Sequence, residues 1–159
     1  VVAVGVVLGL AATRRTPTQP VAIASIPAPH AESADCQRLL DSLPAGLGDF
    51  QRATALEPVP AGTAAWRSGT EGDAVILRCG LDRPAEFVVG TPIQVVNQVQ
   101  WFRLDDPDTK RSTWVCVDRP VYVALTLPSG SGATPIQTLS DVIAKTLPAV
   151  PIKPGPAVR

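Results

Sequence analysis

The sequence predicts a two-layer α+β domain in which an antiparallel sheet of about five strands carries two short helices on one face. Three observations predict it. Cys36, Leu39, Leu40 and Leu43 repeat at i, i+3, i+4 and i+7, one face of a helix. Runs rich in β-branched and aromatic residues, separated by turn residues, fill the interval from Ala74 to Leu127. Ile136, Leu139, Ile143 and Leu147 then form a second helical stripe.

Taken in order, Val1 to Ala12 carry no charge and end abruptly before Arg14 and Arg15, so this segment reads as membrane-directed. Twelve helical residues reach ~18 Å against a hydrocarbon core of ~30 Å, so residues 1–12 are expected to be a truncated transmembrane or signal segment. The small-x-small site Ala22-Ile23-Ala24 stands far beyond that segment for signal cleavage, which favours an uncleaved anchor over a secreted form. Residues 13–32 hold Pro17, Pro20, Pro27 and Pro29 and are expected to be an extended, poorly packed spacer.

The globular domain is expected over residues 33–148. Ser33 is placed to N-cap the first helix, with Asp35 in its first turn, and Pro44 and Gly46 stop it. Five strands are expected at Ala74–Cys79, Glu86–Val89, Ile93–Phe102, Ser112–Val117 and Val121–Leu127, with a weaker one over Gln51 to Leu56. Asp105-Asp106-Pro107-Asp108 is a turn signal between two of them. Pro148 ends the second helix, and the Pro-rich residues 149–159 are expected to be a flexible tail.

Charge narrows the functional classes. Fourteen basic and fourteen acidic residues give a formal net charge of zero, so nucleic acid is not an expected partner. The three cysteines are an odd set for an exported domain. Docking the first helix on the sheet would bring Cys36 to Cys79, and closing that interval would stabilise the fold by ~4 kcal/mol in the chain-entropy model. Cys116 is then a buried free thiol, with a reactive role as the alternative. A metal site is disfavoured, since no C-x-x-C pair exists and the single His lies in the spacer; no cofactor is expected.

Candidate chemistry is sparse. His30 stands outside the expected domain, so no fixed nucleophile-base pair is written here, and no catalytic residue is assigned. Asp105, Asp106 and Asp108 lack the pattern of a calcium loop and read as a solvated turn. Asp118 and Arg119, between two strands, form either a structural ion pair or a fork exposed to an anionic ligand. Trp66 and Trp101 are candidates for a binding surface, although Trp in a domain of this size is mostly core, and Trp114 shares a strand face with Cys116.

The spaced set Cys36-x-x-Leu39-Leu40, Leu43-Pro44, Ala64-Ala65-Trp66, Ile76-Leu77-Arg78-Cys79-Gly80, Val99-x-Trp101 and Val117-Asp118-Arg119-Pro120-Val121-Tyr122-Val123 resembles an actinobacterial family of secreted or single-pass membrane proteins of unknown function. It is similar to mycobacterial members described as possible conserved secreted proteins. The resemblance spans about Cys36 to Pro148 and departs at Cys116, where another residue is expected. It implies an exported domain and pairing of Cys36 with Cys79, and it implies no activity. The expectation is a cell-membrane domain on the extracytoplasmic side, anchored through its N-terminal segment and binding or assembling with envelope or wall-synthesis proteins. The competing expectation is a small carboxylate-using hydrolase or a ligand-sensing domain.

Overall fold

The computed structural model describes residues 19–69 and 72–159. The expected membrane segment at 1–12 and the start of the spacer lie outside the described residues. In chain order the elements are α1 (Ala34–Asp41), β1 (Gly46–Leu47), β2 (Phe50–Ala53), β3 (Thr63–Arg67), β4 (Ala74–Leu81), β5 (Gln94–Val96), β6 (Val99–Asp106), β7 (Arg111–Cys116), β8 (Tyr122–Leu127) and α2 (Thr134–Thr146). The strands form one antiparallel sheet in the order β1-β2-β3-β4-β8-β7-β6-β5.

Among the described residues the sheet therefore has eight strands, not about five. Strand β1 is only two residues long, too short for an alternation to stand out, and the four-residue β2 is the weaker strand expected from Gln51, ending at Ala53 rather than Leu56. Strand β3, Thr63–Arg67, holds two alanines, and its strand form rests on five paired positions with β4 rather than on propensity. The run Ile93–Phe102 is a hairpin: Val96 pairs with Val99, and Asn97 and Gln98 take φ of 44° and 70°, the left-handed pair that a tight two-residue turn needs. Glu86–Val89 is not a strand. Phe87 is buried there, and Val88 makes only an isolated bridge to Gly155.

Strand alternation separates two faces. On the front, Val75, Leu77 and Cys79 of β4, Trp114 and Cys116 of β7, and Val123, Leu125 and Leu127 of β8 join Cys36 and Leu39 of α1 with Ile136, Leu139 and Ile143 of α2 in one core. Ser33 caps α1 by accepting from the Cys36 amide at 3.3 Å. Eight residues make a marginal helix by themselves, so α1 depends on this packing and on the Cys36–Cys79 disulfide, which ties it to β4.

The back of the sheet is covered without helices. Residues 19–27 cross one part of it as an extended strap. Val21 and Ile23 are buried against Ala53, Ala65 and Ile76, and Val21 exchanges hydrogen bonds with Thr54 and Leu56, both 2.8 Å. Arg67 donates to the Gln19 carbonyl and Arg78 to the Ala24 carbonyl at 3.2 Å. Another part is covered by Phe87 and the C-terminal residues. The Gly155 amide donates to Phe87 O at 2.8 Å, and the Val150 amide donates to Asp118 O at 2.9 Å. The packed unit thus reaches beyond residues 33 and 148 at both ends. Proline-rich composition hides this, because an extended chain docked through carbonyls has the same composition as a free one.

Gly80 shows how closely the N-terminal chain passes. It has φ of +92° at the irregularity between Cys79 and Leu81, and an added Cβ would stand 2.3 Å from backbone atoms of His30 and Ala31. The His30 amide donates to Gly80 O at 3.0 Å. This gives the Arg78-Cys79-Gly80 sequence a physical reason: the strand bulges where another backbone lies on it.

Candidate functional site

The structure distributes the sequence-derived candidates unevenly. Cys36 and Cys79 are joined, with Cα atoms 5.7 Å apart, and both are fully buried. Cys116 is free and buried on the same front face. Burial, followed by the negative charge of Asp118, pushes its thiol up to about 12, so at neutral pH it is a protonated core group rather than a nucleophile.

Trp66 and Trp101 do not form a binding surface. Both are 0% exposed, enclosed between sheet and helices because their β3 and β6 positions face the front core. Their indole N–H groups are satisfied internally. Trp66 donates to Pro44 O at 3.0 Å, and Trp101 donates to Ser140 Oγ at 2.9 Å, which itself donates to Ile136 O. Arg52 and Arg103 lie over the Trp66 and Trp114 rings, each 5.2 Å from the centroid, and screen those rings from solvent.

Asp118 and Arg119 follow β7 and are buried as an ion pair, Nη1 to Oδ1 3.0 Å. Arg119 also donates to Asp118 O at 3.0 Å and to Gln98 O at 3.3 Å, which ties the chain after β7 to the β5–β6 turn. The acidic hairpin is locally spent as well. Asp105 accepts from Ser112 and Arg103, and Asp106 accepts from the Asp108 and Thr109 amides, so both carboxyls sit below the ordinary range because of these bonds.

What the sequence did not single out is the open centre of the back face. Between the strap and the Leu81–Pro84 segment lies a groove of about 370 Å³, with Ile26 and Pro27 on one wall and Leu81, Asp82 and Pro84 on another. Its floor comes from adjacent strands: Arg78 of β4, Ala124 and Thr126 of β8, Thr113 and Val115 of β7, and Leu104 of β6. The register sets Arg78 beside Ala124 and Val115, and Thr126 beside Thr113 and Leu104. Ala124 makes the depression, because a small side chain lies between Arg78 and Val115. The Thr113 and Thr126 hydroxyls are 3.1 Å apart, and Arg78 is the half-buried cation of the floor, its guanidinium pKa lowered by desolvation. Apolar walls with few polar groups are the usual make-up of a binding groove.

The comparisons with known proteins bear on the whole of this unit. A family model described as "Protein of unknown function (DUF3515)" matches residues 1–152. The chain belongs to the DUF3515 family. No curated protein and no solved structure matches it. The match to the DUF3515 family takes in the strap and the tail through Ile152, the two segments that bound the back face.

Among the recesses elsewhere on this DUF3515 chain is one of about 350 Å³ where the C-terminal tail leaves the sheet. Val117, Arg119, Pro120, Tyr122, Val150, Pro151 and Lys153 line it. Among the described residues, no three His, Cys, Asp or Glu side chains are grouped to hold a metal, and no helix is long and apolar enough to cross a membrane.

Proposed function

We propose that this chain is a binding module tethered on the extracytoplasmic side of a cell membrane, which takes up an extended segment of an envelope or wall-synthesis protein in its back-face groove. The observation that carries this reading is the strap. The same face already holds one extended chain, residues 19–27, by burying alternate apolar side chains and giving arginine donors to its carbonyls. The open groove beside it repeats those means: apolar floor and walls, the Arg78 guanidinium, a hydroxyl pair and Asp82 at the rim. A second extended segment with small apolar side chains fits that chemistry.

Two further features support the setting. Disulfides such as Cys36–Cys79 persist in oxidising compartments, and residues 1–12 are uncharged and apolar, as an anchor requires. The rival reading, a carboxylate-using hydrolase or ligand sensor, needs two carboxyls converging in one recess; among the described residues the groove carries Asp82 alone.

Replacing Leu104 with a photo-crosslinking residue in the full-length protein, in its native membrane, tests the reading. The expected product is a crosslink to a segment of a membrane or wall-synthesis protein, lost when Thr113→Arg fills the groove. Capture that persists unchanged in Thr113→Arg, or no envelope protein among the products, contradicts it.

A further inference from the structure

We infer that the recess beneath the C-terminal tail is a binding site for a phosphate group, with Arg119 at its wall and Lys153 at its mouth. The inference is independent of the back-face groove. Arg119 has a side chain only 3% exposed, and its position is fixed by Asp118 and by the Gln98 carbonyl. Its Nε is buried and has no hydrogen-bond partner among the described residues. A guanidinium offers five N–H donors, and a buried donor left without an acceptor is destabilising, so native proteins satisfy such groups with water, an ion or a ligand.

The charges around the recess select the ligand. Asp118 balances Arg119 and takes no part in the lining. Lys153 lines the recess, and Arg83, which donates to Lys153 O at 3.3 Å, lies near enough to Tyr122 to act on its phenol. Two cations, Arg119 and Lys153, therefore line one small recess from which the paired Asp118 carboxylate is absent, while Tyr122 adds a hydroxyl and Val117, Pro120, Val150 and Pro151 make dry walls. Fixed cations, a neutral donor and low local polarity suit a compact, multiply charged oxyanion better than a neutral ligand or a cation. A free phosphate and the phosphate of a lipid headgroup present the same chemistry to this recess.

The test is a titration of the full chain, ¹⁵N-labelled, with inorganic phosphate in one arm and with phosphatidic acid vesicles in the other, following the Arg119 Nε–H and Gly155 amide signals. A saturable shift of both signals with either probe, weakened about tenfold or more by Lys153→Glu, is the expected result. A response to free phosphate assigns a soluble ligand, and a response confined to vesicles assigns a headgroup; both support the site. Arg119→Lys, with folding checked by the buried Trp101 emission, should weaken the shift as well. No saturable shift in either arm, or a shift that Lys153→Glu leaves unchanged, overturns the inference.

Discussion

The residues that decide the interior are those with a polar atom to place. Trp101 fills the front core, and its indole N–H reaches Ser140 Oγ, which is fully buried on α2. Replacing Ser140 with Val should therefore destabilise the domain by about 1–3 kcal/mol in chemical denaturation, since the indole N–H is left without an acceptor. Arg119→Leu alone should cost about 3–5 kcal/mol by stranding the buried Asp118, and considerably less when combined with Asp118→Leu. The Cys116 thiol, pushed from 9.0 up to about 12, stays protonated in the fold where it would ionise in the unfolded chain. The folded state then binds the extra proton between those values, so stability is intact below pH 9 and falls by about 1.4 kcal/mol per pH unit above it. Thermal melts in alkaline buffers should show that slope, and Cys116→Val should flatten it. The sequence announced the burial of Cys116 through its place beside Trp114, but it offered no partner for Trp101, because a serine among helical residues looks the same whether it faces solvent or core.

At the scale of elements, the amphipathic helices were legible because their stripes are long enough to repeat. The Ser33 cap and the two helices appear where the periodicity puts them, with Leu43 and Leu147, the last residues of the two stripes, falling just beyond the helix ends. Strands β1 and β3 were hidden by shortness and alanine, β2 showed only as the weak run from Gln51, and Glu86–Val89 looked like a strand because a plug that buries Phe87 uses the same apolar residues. Helix α1 needs its staple: the Cys36→Ala and Cys79→Ala double variant should lose ~4 kcal/mol and exchange its α1 amides faster than those of β8. Gly80→Ala should be among the most damaging single substitutions in the sheet, since its Cβ would enter the His30–Ala31 backbone. The strap should open before the sheet does. The Leu56 amide, bonded to Val21 O, is expected to exchange ahead of the Cys79 amide, bonded to Gly62 O, and Val21→Asp should widen the gap.

For the molecule as a whole, the α+β class and the one-sided helices followed from the sequence, while the back face did not. Its covers are irregular chain, and irregular chain has no period to read. The groove between them is likewise made by adjacency across β4, β8, β7 and β6, residues far apart in sequence whose shared face appears only with the register. The proposed binding role rests on one placement, a stapled domain working outside the cytoplasm. Peptide mapping of the full-length protein, taken from intact cells after trapping free thiols with a membrane-permeant alkylating reagent, tests that placement most directly. The account predicts Cys36 and Cys79 in one disulfide-linked peptide pair, with Cys116 alkylated only after denaturation. Trapping reagent on both Cys36 and Cys79 would contradict it.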